Sequence, residues 1–189
     1  MNEIACNMDR LREVALDQHG FVTRAQAYDE GVSKGALAML VKRGRLERVA
    51  CGVFRVPHMP SDGNEQLMLA VLWTGSPKAV LSHETALALY ELGDVNPSTV
   101  HVTVEKGRRI NRRGGEAYCL HSETIPPNDT GWWQGIPVVK PALAIGQCIQ
   151  WGTPTYLLEQ AIEEGVKKRL VNRLEAEKLR RKLDERDAE

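Results

Sequence analysis

The sequence predicts an α+β protein: a winged helix-turn-helix at the N-terminus, then a second small α+β unit with a mixed or antiparallel sheet and C-terminal helices. Three observations carry this. Between Gly20 and Pro57 two capped helical segments, a basic stop and a two-stranded ribbon follow one another. A break rich in Pro, Ser and Gly, PHMPSDG, stands at 57–63. Beyond it, runs that alternate with period two are interleaved with runs of helical spacing.

The first element is a helix between Ile4 and His19, where Leu11, Val14, Ala15 and Gln18 form a narrow apolar-to-mixed face. Thr23 opens the second helix, Gln26 completes its capping box three residues on, and Gly31 ends it. Ser33 caps the third. In it Ala36, Leu37, Leu40 and Val41 share a face, and Gly44 sits where a left-handed C-terminal residue is wanted. Helices this short are marginal alone, so the first helix is expected to close a three-helix core over them. Leu46 to Val49 and Val53 to Val56 alternate around Ala50-Cys51-Gly52 as a hairpin, the wing. This order defines residues 1–60 as the DNA-binding domain and 61–189 as a separate interaction domain.

In such a domain the helix after Ser33 enters the major groove by its N-terminal end while the preceding helix crosses the backbone. With Leu37, Leu40 and Val41 turned inward, Lys34, Gly35, Ala38 and Lys42 are left outside. Gly35 and Ala38 are small enough for close approach, and Ala38 suits a thymine methyl. Ser33 at the helix start, Thr23 and Arg24 at the start of the preceding helix, and Arg43, Arg45, Arg48 and Arg55 complete the expected DNA-binding set, the arginines on phosphates.

The second unit reads in the same way. A helical run covers 64–73, and Ser82 caps the helix SHETALALYELG, with Ala86, Leu87, Leu89 and Tyr90 packed one way and Gly93 at its end. Strands are expected at Thr99–Val104 and Glu116–His121. The link between them, KGRRINRRGG, reads as a mobile hairpin tip. A third strand at Ile136–Val139 leads into helices at 141–151 and 154–165, and from Val171 the chain is a charged helix with Leu174, Leu179 and Leu183 as its apolar stripe. Adjacent Trp132 and Trp133 cannot both face inward in an extended segment, so one is expected to be exposed or to meet a partner.

Composition narrows the function. The chain has 189 residues with 25 basic and 25 acidic, a formal net charge of zero. The stretch from Gly20 to Pro60 departs from this balance, with seven basic residues against three acidic. So modest an excess calls for dimerisation on DNA or a second contact. Arg108, Arg109, Arg112 and Arg113 are the candidate second basic contact, a solvated loop being the equal alternative.

Cys6, Cys51, Cys119 and Cys148 include no Cys-x-x-Cys pair, which points to reduced thiols packed in a core. With no leader pattern after Met1 and no apolar run of membrane length, a cytoplasmic protein without membrane contact is expected. His101 and His121 can face each other on neighbouring strands, with Cys119 or Glu84 nearby, but their spacing is not that of a metal motif. No metal and no cofactor are expected. His83 has no nucleophile or acid at a meaningful spacing, Glu105-Lys106 lacks the upstream acidic pair of a nuclease, and Gly114-Gly115 lacks the strand-to-helix setting of a phosphate loop. No catalytic residues are assigned, and the protein is not expected to be an enzyme.

The segments TRAQA, VSKGALAMLVKRGRLERV and GVFRVP resemble the N-terminal domain of the abortive-infection type IV antitoxins, the AbiEi-like transcriptional regulators. SHETALALYELG, the VHVTV strand with its arginine loop and GIPVVKPALAIGQCI resemble the middle segment of that family, so the resemblance spans residues 5 to 165. It implies an antitoxin of a type IV toxin-antitoxin system that represses its own promoter at inverted repeats in double-stranded DNA, a site that a homodimer on DNA would suit. It also implies a partner, a nucleotidyltransferase-like toxin. The alternative is a solitary winged-helix regulator whose second domain senses a ligand or dimerises. Some longer relatives carry a nuclease-like domain after the GIPV segment. Here a short charged helix stands in that place, which argues against catalysis.

Overall fold

The computed structural model describes residues 3–188, with side chains from Cys6 onward. The leader reading of Met1 and Asn2 lies outside the described residues. The contacts divide the chain into two units, one of residues up to Pro77 together with Arg109–Gly115, the other of Lys78–Arg108 and the residues from Glu116 on. Helices and two sheets make the protein mixed α+β.

The first unit contains α1 (Glu3–Leu16), β1 (Phe21–Thr23), α2 (Arg24–Asp29), α3 (Lys34–Lys42), β2 (Glu47–Ala50), β3 (Val53–Arg55) and α4 (Glu65–Trp73). Its three antiparallel strands run in the order β1-β3-β2, Val22 lying opposite Phe54 and Phe54 opposite Arg48. The helices start where the caps say. Thr23 and Gln26 form a reciprocal capping box, and Ser33 Oγ accepts from the Ala36 N–H at 3.1 Å. Gly44, at φ +66°, takes the left-handed turn that stops α3. Met8, Leu11, Ala15, Val22, Ala27, Leu37, Leu40, Leu46 and Phe54 form one buried cluster, each large member of which stabilises the unit by about 1.5–3 kcal/mol.

Gln18 departs from the apolar face expected of it. Its amide exchanges hydrogen bonds with that of Gln26 at 3.1 and 3.0 Å, tying the turn after α1 to α2. Helix α4, read from the sequence as the start of the second part, groups here with the first unit.

The second unit contains β4 (Val80–Leu81), α5 (His83–Leu89), β5 (Val100–Val104), β6 (Tyr118–Ser122), β7 (Thr130–Trp133), β8 (Ile136–Val139), α6 (Pro141–Trp151), α7 (Thr155–Lys167) and α8 (Arg173–Asp187). Its sheet is mixed, in the order β6-β5-β4-β8-β7. Strands β5 and β6 are parallel, with His101 opposite Cys119 and Thr103 opposite His121. The residues between them are therefore a crossover and not a hairpin tip. About a dozen residues are needed to bring a chain back to the same end of a sheet, and the link from Glu105 to Ala117 is long enough.

Gln134 and Gly135, at φ +47° and +80°, make the two-residue turn that pairs β7 with β8. Trp132 stands outward at 74% exposure, while Trp133 is half-buried. The apolar stripe of α8 is Ala176, Leu179 and Leu183, and Leu174 is exposed instead. Cys148 is buried, Cys6 and Cys119 are half-buried, and Cys51 lies exposed at the ribbon turn, so not every thiol is in a core.

Candidate functional site

The face of α3 opposite its buried Leu37 and Leu40 is open. Ser33, Lys34, Gly35, Ala38, Met39 and Lys42 are all exposed, and so are Arg43, Arg45 and Arg48 toward the ribbon. Capping sets this geometry. The Ser33 hydroxyl occupies one N–H of the first turn, and the Lys34 and Gly35 amides stay at an open helix start where the dipole favours an anion. Arg24 is exposed, and its backbone N–H donates to the Gly52 carbonyl at 2.8 Å, which ties the start of α2 to the ribbon turn. Arg55 is placed differently from the other arginines. It sits on the central strand opposite Phe21 and Glu47, half-buried.

The four loop arginines do different things. Arg108 pairs with Glu105 at 2.9 Å. Arg112 is an anchor, its guanidinium donating to the Trp73 carbonyl at 2.7 Å and the Cys51 carbonyl at 3.1 Å. The Trp73 indole N–H returns a bond to the Arg113 carbonyl at 2.9 Å. Close approach here depends on glycine, since a Cβ at Gly115 would run into the Trp73 ring, and one at Gly75 into the Arg112 guanidinium. Held in this way, Arg109 and Arg113 are exposed on the first unit.

The second unit holds a cluster of which the sequence offered only the facing of His101 and His121. His83 at the start of α5, His101 on β5 and His121 on β6 come together, one ring nitrogen of each lying within 4.8 Å of the others. His101 Nδ1 is 3.0 Å from His121 Nε2, and His83 stacks on His121 with ring centroids 3.5 Å apart. Trp151 stands edge-on to all three rings. Parallel pairing of β5 and β6 puts Thr103 beside His121 and Cys119 beside His101, so these side chains share one face of the sheet, under α5. The signal that was available is His83 itself, at the strand-to-helix junction after Val80-Leu81.

Polar neighbours hold the cluster. Ser82 is at the N-cap position of α5 but makes no side-chain cap; its Oγ accepts from Thr103 Oγ1 at 2.8 Å and lies 3.0 Å from His83 Nδ1. Glu84 accepts from Thr153 Oγ1 at 2.8 Å and places its other oxygen 4.0 Å from His101 Nε2. Gln147 accepts from the His83 N–H and donates to Glu123 at 2.6 Å. His83 has φ +50°, a left-handed backbone that a non-glycine residue adopts only when its surroundings impose it.

Burial, reinforced by His121 and His101, holds His83 down at about 3, and burial with His101 beside it brings His121 to about 4. Burial also lowers His101, against the opposing pull of Glu84. The imidazoles are therefore neutral near pH 7, each offering a lone pair. Ser82 is fully buried, so the Ser82–His83 contact offers no nucleophile to an outside substrate.

Comparison with known proteins agrees with the sequence reading over residues 9–57. Residues 9–57 match a family model described as "Transcriptional regulator, AbiEi antitoxin", and the resemblance to that family is shown over this segment. Among solved structures the chain is similar to the RV2827C protein from Mycobacterium tuberculosis, at 14% identity over 92% of this chain and 70% of that one, with a TM-score of 0.51. That likeness is one of fold. No curated protein matches the chain. Among the described residues no helix is long and apolar enough to cross a membrane.

Proposed function

We propose that the chain is a DNA-binding antitoxin that represses its own promoter, with residues 1–60 acting as a winged helix-turn-helix. One observation carries this reading. The outward face of α3 combines two lysines, two small residues and a capped, accessible N-terminus, while the arginines after it line the way to the ribbon. Lys34 and Lys42 contact phosphates on either side of a groove, and Gly35 and Ala38 let the backbone approach the base edges. Thr23, Arg24, Arg43, Arg45 and Arg48 hold the register. Half-buried Arg55 contributes less than the exposed arginines.

The partner of the second unit is a nucleotidyltransferase-like toxin encoded alongside, a reading supported by the antitoxin description of the family matched at 9–57. The test is a salt-titrated mobility shift of the full chain on its own upstream DNA, beside co-expression with the neighbouring reading frame scored by growth. Sequence-specific binding that weakens steeply with salt is the expected result. Binding no tighter than to unrelated DNA of equal length would overturn the regulator reading. Specific binding without protection from any neighbouring product would leave a solitary regulator.

A further inference from the structure

We propose that His83, His101 and His121 form a site for one zinc-class divalent cation, bound by three imidazole nitrogens with water in the fourth position.

The donor set decides the class of ion. Three neutral nitrogens and no carboxylate in the inner ring suit zinc, cobalt or nickel, and do not suit magnesium or calcium, which take oxygen ligands. Distances agree with a small tetrahedral centre. Bonds of about 2.0–2.1 Å give a tetrahedral edge of roughly 3.3–3.4 Å. His101 and His121 already present nitrogens 3.0 Å apart, and the His83 nitrogen, within 4.8 Å of both, closes by tilting its ring off that of His121.

The surroundings are those of a built site. His101 turns Nδ1 toward His121 and Nε2 toward Glu84, which is itself fixed by Thr153 and stands 4.0 Å away, outside hydrogen-bond range but near enough for a small shift of the ring on metal binding to complete the carboxylate–histidine pairing that orients metal-bound imidazoles. His83 is held at Ser82, whose oxygen is fixed by Thr103. The three ligands come from α5, β5 and β6, so the ion would tie the first turn of α5 to the sheet. Half-exposed His121, beside exposed Trp151, gives the ion a way in.

The experiment uses the full chain, freed of metal by a chelator, dialysed, and titrated with Co2+ and then Zn2+. A visible d–d spectrum of tetrahedral type that saturates at a single equivalent and is displaced by Zn2+ is expected, together with quenching of tryptophan emission that W151F abolishes. Zn2+ but not Mg2+ should raise the unfolding temperature. H101Q and H121Q should each weaken binding by at least about tenfold, and E84Q by about tenfold through loss of orientation, while replacing the exposed His58 of the first unit, H58N, should change nothing. A folded wild-type chain that gives no saturable cobalt spectrum would overturn the proposal whatever the variants do. So would an H121Q chain that binds as tightly as wild type, because the cobalt would then be held elsewhere.

Discussion

The outer face of α3 and the histidine pocket are built in opposite ways. On α3 the polar and small residues point outward from a helix already secured by Leu37 and Leu40, so Lys34, Gly35, Ala38 and Lys42 take no part in holding the fold. In the pocket the polar residues point inward: Thr103 is paired with Ser82, Thr153 with Glu84, and Gln147 with the His83 N–H and Glu123. A surface of the first kind can be altered with little structural effect. A buried network of the second kind cannot, because a single deletion leaves a partner unsatisfied.

The largest expected effect comes from attacking what lies beneath α3. Leu40 is 1% exposed and sits in the cluster with Leu11, Leu37 and Leu46. Leu40→Ala should cost about 2–5 kcal/mol, enough to lose the first unit as a cooperative transition in thermal unfolding. DNA binding should go with it. An L40A chain that melts like wild type would mean that the three-helix packing is not what supports the face.

Next in size is the face itself. Replacing Lys34 and Lys42 together with Ala should weaken promoter binding and reduce the salt slope by about one unit for each lost phosphate contact, with stability changed by less than about 0.5 kcal/mol. On the proposed function, the same chain should still protect cells from the proposed toxin while failing to repress a promoter reporter. Unchanged affinity in the salt titration would show that α3 does not read the groove, and loss of both activities by a folded chain would mean that neutralisation acts through repression.

The loop arginines sharpen the contrast within one short segment. Arg112, bonded to two carbonyls, should behave as a structural residue. Charge-assisted hydrogen bonds of this kind are worth about 1.5–3 kcal/mol each before solvent screening, so R112A should lower the unfolding temperature of the first unit. Arg109 and Arg113 are exposed, and R109A/R113A should leave the melt alone and lower only DNA affinity or toxin binding. If the double variant behaves normally in both assays, the side chains of Arg109 and Arg113 are only a solvated face of an anchored loop.

These differences follow how each part could be read before folding. The Thr23–Gln26 box, the Ser33 cap and Gly44 are local signals whose residues touch within a turn, so the sequence contains them whole. Strand β1 carries too few residues for any periodicity and is a strand only because β3 pairs with it. Alternation in residues 116–121 marks a strand but not its direction, and the direction turned an expected hairpin tip into a crossover. The same parallel pairing brings His121 beside His101, and the turn after β4 adds His83. The outer face of α3 is legible because it is contiguous; of the pocket only the facing of His101 and His121 is, because His83 joins them from a distant segment.

The smallest effect compares one thiol from each unit. Cys51 lies exposed at the ribbon turn, whereas Cys148 on α6 is fully buried, and burial pushes its thiol up to about 12 despite the opposing influence of the neighbouring Thr153 side chain. The raised value means a protonated, unreactive sulfur at pH 8, even before access is considered. Alkylation of the native chain at pH 8, followed by mass spectrometry of peptides, should label Cys51 within minutes and Cys148 only after denaturant is added. Equal labelling of the two would mean that α6 opens locally far below the global unfolding free energy, and that the core beneath the histidine pocket is looser than its packing implies.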